Sequence, residues 1–520
     1  MHTTPQTLKW WMAVVLFALC VGPTFISYES YVFTWDDADY LQKSIAVDRA
    51  FWATDLKGMA QLRAIGGAMY SMRPPMLTLL GLPWGNSLKS WDAAGKCFVT
   101  LGALTSLMVA CCLYLLLRVG MKPQWLVLAS LCVFASLGPY PAGATAHVSS
   151  TAFLADSLFG WTCLAALLLI PYEARTDNQS IRSAILGGAL WGTIFSFGVM
   201  TKINFLYFAV LIAPILLAVR FRHSGLRPAA GAFAALGVVS LPAAAYLIRH
   251  GGPILDNAKA SSYGGVADFY YVPLSRYVAD SVRESPGLVL SLILVALALL
   301  FVVIKSRASL IDPDFLPVFI TAGFGIAVVS APNRQIRYAL PAIIALPFLT
   351  GALVSGKGRL FSRGYALLGA GLVFCGLVLA SVPMRHRPDR QQSLGISEAV
   401  LRRAAQCDAK HILLITDSPT LNQDLMNLAL IVSDSEAPPQ VDTLAYNAML
   451  GKSIEEDFRA IRGSDQVVFQ DKQMLSPSFT NLRVDEYERY TLQLGGHEPS
   501  RVEGNVTIYP MQCRDNRQNP

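Results

Sequence analysis

The sequence is short of charge. Only 15% of its 520 residues are Asp, Glu, Lys or Arg, against roughly a quarter in an ordinary soluble protein. Beside 53% hydrophobic residues and a mean hydropathy of +0.43, that shortage excludes a soluble globular chain and leaves a polytopic membrane protein. Metal-ligand spacing is also missing, since the nine cysteines and seven histidines form no zinc-binding pattern. A phosphate loop is absent too. "MLGKSIEE" contains Gly451-Lys452-Ser453, but the residue standing where such a loop needs its first glycine is Tyr446. The stretch reads instead as a loop entering a surface helix. Asn505-Val506-Thr507 matches a glycosylation sequon, but inside a run that reads as a strand.

What is present is a series of long apolar runs. Hydrocarbon about 30 Å thick needs about 20 apolar residues per helix. Spans are expected at Leu8 to Ser27, Cys97 to Leu117, Gln124 to Leu137, Thr151 to Pro171, Ala184 to Thr201 and Ile203 to Val219. Others fall at Ala229 to Ile248, Gly287 to Ile304, Phe315 to Ala331, Tyr338 to Val354 and Tyr365 to Pro383. The expectation is thus about eleven crossings. The first run has a longer apolar core than a cleaved signal peptide, and "FALC" lacks the small residue of a lipoprotein site, so it reads as a retained helix.

Cations collect in alternate loops: Arg118 and Lys122; Arg175 and Arg182; Arg220, Arg222 and Arg227; Lys305 and Arg307; Lys357, Arg359 and Arg363. Those loops are read as cytoplasmic. An odd number of spans then places the segment after Pro383 outside, together with the long first loop. The expected division is a membrane module, 1–383, with residues 28–96 as its first external loop, and an external domain, 384–520.

The overall charge of +7 belongs to the membrane half. The tail carries 15 Lys and Arg against 19 Asp and Glu. A cationic membrane module suits anionic lipid headgroups, and no nucleic-acid partner is expected. "MRHRPDRQQS" reads as a basic linker. Beyond it, "HILLIT", "DQVVFQ" and "NVTIYP" read as strands and "DSPTLNQDLMNLALIV" as a helix with its cap at Asp417, which makes a small α/β domain. Seven cysteines fall in or beside apolar runs, where they act as small hydrophobes. Cys407 and Cys513 lie near the two ends of the tail, where they are either two buried thiols or one disulfide.

The first loop holds seven acids and seven bases between Tyr28 and Lys96. "SIAVDRAFWATDLKGMAQLRAI" has the spacing of an amphipathic helix on the membrane surface, and "SMRPPMLTLLGLPWG" turns the chain back towards the membrane. Ahead of both stands "FTWDDADY". Asp36, Asp37 and Asp39 repel one another, so they form either a solvated turn or a site that faces a compensating charge. Arg73, Lys202, Arg334 and Arg337 fall on the same predicted face. An acid opposite fixed cations suits a substitution in which a base takes a proton from an attacking hydroxyl while a phosphate departs.

Five stretches in order, "WDDADY", "RPPMLTLLGLP", "STAFLADSLFGWTCLAALLL", "GVMTKINFLYF" and "RQIRYALPAIIALPFL", make the chain resemble the GT-C glycosyltransferases. The similarity is greatest to the bacterial branch of aminoarabinose transferases, protein O-mannosyltransferases and Rgt-type galacturonosyltransferases, and it covers most of the membrane half. The resemblance implies a mainly α-helical polytopic membrane protein with an extracytoplasmic C-terminal α/β domain. It implies inverting transfer of a sugar from a polyprenyl-phosphate donor to a lipid, envelope-glycan or protein acceptor, at a bacterial inner membrane.

The same resemblance gives Asp36 and Asp37 the general-base role, with either able to abstract the proton, because Asp37 stands where relatives have Glu. Tyr40, Arg73, Lys202, Arg337 and Tyr338 match donor-phosphate and substrate-binding positions, and Arg334, a cation on the same predicted face, is a further candidate for holding the donor phosphate. Asp156 matches an acid at the head of the fourth span and is otherwise a helix cap. Asp39 and His147 are candidate supporting residues, and His147 in "GATAHVSS" reads as a loop hydrogen-bonding residue rather than a catalytic one. No metal ligand is assigned, and dependence on a divalent metal is left open. The competing class is a transporter or lipid flippase, which the position of the acids in a long external loop and the lack of an inverted repeat disfavour.

Overall fold

In the computed structural model the described residues are 35–53, 57–68, 75–84, 92–137, 155–175, 180–263, 273–276, 278–279, 292–293, 295–296, 312–331, 336–356, 390–418, 420–433, 438–448, 451–471, 481–494, 499–502 and 505–511. The first loop contributes α1 (Trp35–Trp52), α2 (Met59–Ala68) and a 3-10 helix, Leu77–Trp84. The membrane half continues with α3 (Asp92–Arg118), α4 (Pro123–Leu137), α5 (Ala155–Arg175), α6 (Ile181–Thr201), α7 (Phe205–Ser224), α8 (Leu226–Tyr263) and α9 (Leu316–Ser330). A second 3-10 turn, Ile336–Ala339, leads into α10 (Leu340–Gly356).

Among the described residues five helices are long and apolar enough to cross a membrane: Val99–Arg118, Asp156–Arg175, Ile181–Thr201, Phe205–Ser224 and Leu226–Asp256. Leu316–Ser330 and Leu340–Ser355 are shorter and apolar. The expected spans Leu8 to Ser27 and Tyr365 to Pro383, and most of Gly287 to Ile304, lie outside the described residues.

Helix α5 is the axis of the bundle. Its span is 89% buried, whereas that of α8 is 22% buried, so α5 faces protein on every side and α8 is exposed along most of its span. A helix hydrophobic all round belongs in the middle of a bundle. Small residues let helices approach closely, as membrane packing requires. A Cβ at Gly188 of α6 would stand 2.1 Å from the carbonyl oxygen of Ala232 on α8, so only glycine fits at that crossing.

Several loop cations turn out to be helical. Arg118, Arg175 and Arg222 sit in the last turns of α3, α5 and α7, where the helix dipole favours positive charge. Arg220 is also inside α7 and is buried, 2.5 Å from Glu173 near the end of α5. Trp191 Nε1 donates to the same carboxylate at 3.2 Å. Arg175 Nη2 instead donates to both carboxylate oxygens of the more exposed Asp314, each at 2.8 Å.

The first loop departs from expectation in two respects. The amphipathic stretch holds two helices, one ending at Trp52 and the next starting at Met59 just after Gly58, which adopts a φ of +59°. α1 also begins at Trp35, so the acids of "WDDADY" occupy its first turn. Negative charge at a helix start is favoured by the dipole and the unpaired N–H groups there.

After residue 390 come α11 (Arg390–Gln406), β1 (His411–Leu414), α12 (Gln423–Ser433), β2 (Gln440–Thr443), α13 (Ile454–Gly463), β3 (Gln466–Gln470), α14 (Val484–Gln493), β4 (Ser500–Val502) and β5 (Val506–Pro510). The sheet order is β2-β1-β3-β5-β4, with β1 parallel to β2 and β3, and β5 antiparallel to β3 and β4. β1, β3 and β5 were legible in the sequence. β2 and β4 are short and carry too few apolar residues to stand out.

α12 starts five residues later than the sequence suggests. Ser418 closes a turn by accepting from Leu421 N at 2.9 Å, and Asn422 Oδ1 caps the helix by accepting from Leu425 N at 2.9 Å. Ser453 caps α13 by accepting from Glu456 N, so the Gly-Lys-Ser stretch is a helix entry as expected. Asn505 lies in a turn at φ +56°, just ahead of β5. Cys407 is disulfide-bonded. Its expected partner, Cys513, lies outside the described residues.

The two arginine pairs differ in cost. Removing one partner of a buried pair strands a charge and costs about 3–5 kcal/mol, whereas an exposed pair contributes about 0–1 kcal/mol. Glu173→Ala is therefore expected to lower the thermal unfolding temperature of the detergent-solubilised protein by many degrees, and Asp314→Ala to leave it nearly unchanged. Equal shifts would refute that division.

Candidate active site

The site is built where helices end. α6 and α7 are joined by a turn at residues 202–204, in which Lys202 is extended (φ −156°, ψ 129°) and its N–H donates to Gly198 O. The ring of Phe205 packs over Gly198, where a Cβ would stand 2.4–2.6 Å from its carbons, so glycine is required for the turn to close. "GVMTKINF" thus encodes a tight reversal that holds Lys202 at the end of the bundle.

Lys202 Nζ is ion-paired with Asp156 Oδ1, in the first turn of α5. Their side chains are 18% and 5% exposed, so the lysine keeps a path to solvent and the carboxylate has almost none. Two aromatic rings complete the setting. Nζ lies 5.0 Å from the Tyr338 ring centroid and 5.7 Å from that of Phe159, one turn along α5 from Asp156. Such contacts strengthen where water is excluded. Three of the sequence-read residues, Lys202, Asp156 and Tyr338, are therefore brought together from α5, the α6–α7 turn and the 3-10 turn before α10.

The first loop is tied to the same place. Met76 N donates to Met200 O at 2.9 Å, which joins the chain just after Pro74-Pro75 to the end of α6. Thr78 N and Thr78 Oγ1 both donate to Pro75 O, turning the chain into the 3-10 helix. That helix lies on α1, with Ser44 Oγ donating to Leu77 O at 2.8 Å and Trp52 Nε1 to Leu82 O at 3.3 Å.

Within α1, Asp39 is paired with Lys43 at 2.6 Å, one helical turn on. Asp39 is thus partly neutralised within its own helix. Tyr40 is buried in the main apolar cluster. Asp36 and Asp37 have their backbone in the first turn of α1, and Arg337 has its backbone in the 3-10 turn beside Tyr338. The side chains of these three lie outside the described residues, as do Arg73, His147 and Arg334 altogether.

Sequence reading missed Lys43 and Phe159. The signal for each was present: Lys43 stands four residues after Asp39, and Phe159 three after Asp156, both helical neighbours. Among the described residues no three His, Cys, Asp or Glu side chains gather as a metal site would require.

No family model matches the chain, and no curated protein sequence does. Solved structures do match. ArnT from Cupriavidus metallidurans bound to undecaprenyl phosphate superposes with a TM-score of 0.55 at 13% identity, over 96% of this chain and 98% of that one. The same protein in the apo state gives 0.54 at 12% identity, over 99% of each chain. The archaeal oligosaccharyltransferase AglB from Archaeoglobus fulgidus, in complex with an inhibitory peptide and a dolichol-phosphate, gives 0.51 at 12% identity, over 89% of this chain and 69% of that one. At such identities the likeness is one of architecture: this chain has the fold of the GT-C glycosyltransferases.

Proposed function

We propose that this protein is an inverting glycosyltransferase that takes a sugar from a polyprenyl-phosphate donor and transfers it to a lipid, envelope glycan or protein outside the cytoplasm. The observation that carries the reading is the convergence on Lys202 of Asp156 and Tyr338, from separate helix ends, in a chain with this fold. ArnT and AglB support the donor class, since each is seen with a polyprenyl phosphate.

In this reading Asp36 or Asp37 takes the proton of the acceptor hydroxyl. The acceptor oxygen then attacks the anomeric carbon on the face opposite the phosphate, and the bond from that carbon to the phosphate oxygen breaks, inverting the centre. The departing phosphate gains negative charge. Lys202 receives it, helped by Arg73, Arg334 and Arg337, and each well-placed donor contributes about 3 kcal/mol to the barrier reduction. Asp156 holds Lys202 in place until the phosphate arrives, and the partial exposure of the lysine lets an anion compete for it.

The tail contacts α1, so it lies on the face that carries the first loop. In this reading both lie on the periplasmic side of a bacterial inner membrane, which the collection of cations in the opposite loops supports. Residues 384–520 form the external domain in this reading and 1–383 the catalytic module.

Asp36→Asn is expected to abolish transfer, by about 10²–10⁴-fold, with expression intact. Mass spectrometry of polyprenyl-phosphate sugars and envelope glycans in cells checks this: the variant should accumulate one lipid-linked sugar and lose one glycan of matching mass. Unchanged profiles would sink the base assignment if Asp37→Asn is also silent.

Lys202→Met should lower kcat/KM for the lipid-linked donor by about 10²-fold. Wild-type donor kinetics in that variant would remove Lys202 from the site.

A further inference from the structure

Helix α12 belongs to the tail sheet and also to the membrane half. Met426 and Leu430 point into the tail core with Ile412 and Val468. Leu428 and Val432 are buried instead in the cluster that contains Leu41 and Ile45 of α1. Two side chains of α1 reach across to the α12 backbone: Gln42 Nε2 donates to Asp424 O at 2.8 Å, and Arg49 Nη2 to Ile431 O at 2.8 Å.

Both contacts have the same sequence offset, 382 residues, so the helices run parallel and in register over two turns. Their N-termini point the same way. Because β1 and β2 are parallel strands joined through α12, the start of α12 lies at the carboxyl ends of those strands. The loop after β1 therefore opens towards the end of α1 that bears Asp36 and Asp37.

α1 is held on its other side by the 3-10 helix, through Ser44 and Trp52, and that segment is joined through Met76 to Met200, two residues before Lys202. Hydrogen bonds thus connect the tail sheet to α12, α12 to α1, α1 to the 3-10 helix, and that helix to the lysine turn. Gln423 Nε2 completes the first link by donating to Val441 O of β2 at 2.8 Å.

We infer that Gln42 and Arg49 are positioning residues and that the tail is a structural part of the active centre, setting the acid-bearing turn of α1 against the Lys202 turn. This inference rests on the transferase reading above. The tail meets α1, so loosening the contact displaces the acid-bearing turn, while Lys202 stays held by Asp156 and the α6–α7 turn.

The experiment uses the full chain and the double variant Gln42→Ala/Arg49→Met. Product is scored as the envelope glycan that disappears from Asp36→Asn cells. The double variant should bind undecaprenyl phosphate within about twofold of wild type while product falls by at least about tenfold, since a 1 Å misplacement costs on the order of 10²-fold. Arg49→Lys keeps a donor for Ile431 O and should retain most of the product.

Wild-type product in the double variant overturns the inference. So does a loss of product that comes with lost undecaprenyl-phosphate binding or a collapsed unfolding transition, because the contact is then merely structural. If Asp36→Asn and Asp37→Asn both leave every glycan in place, it is the transferase reading that fails.

Discussion

Hydrocarbon offers no hydrogen-bond partner, so a chain that crosses it must satisfy every backbone group within its own helices. Irregular backbone is confined to helix ends or to places covered by protein. This constraint arranges the whole site. Lys202 sits in the reversal between α6 and α7, Asp156 in the first turn of α5, and Tyr338 in the 3-10 turn before α10. A bundle whose helices end at one level gathers its free donors, dipoles and charged side chains there, and the buried axis α5 fixes how close they come.

The two buried ion pairs of α5 illustrate how position divides structure from chemistry. At one end Glu173 and Arg220 are 2% and 3% exposed and shielded by Trp191, so nothing reaches them and they act as a brace. At the other end Lys202 stays open to solvent while Asp156 does not. An anion arriving from outside meets the lysine first. The same residue types thus hold the fold at one end of a helix and offer a binding charge at the other.

α1 links the membrane half to the tail. It packs on the 3-10 helix on one side and on α12 on the other, and its first turn carries the acids. Ala38, Leu41 and Ile45 are fully buried, so the helix has little freedom to shift. α1 and the 3-10 helix are thereby part of a packed layer, which suits a role in holding acids near cations better than a role as a mobile connector.

The sequence by itself determined the membrane class, the positions of the five membrane-length helices among the described residues, the α/β character of the tail and the residues worth following. Those properties follow from local composition and periodicity, which need no knowledge of distant partners. The start of α1 at Trp35, the break at Gly58 and the late start of α12 were hidden, because capping and turn geometry at Gly58 and Ser418 compete with helical spacing over a few residues. The pairing of Asp156 with Lys202, the ring of Tyr338 beside it, the burial of Arg220 and the docking of α12 on α1 were decided only by the tertiary structure. Each joins residues far apart in the chain, up to 382 positions, and no local pattern encodes which helix ends will meet once the bundle has closed.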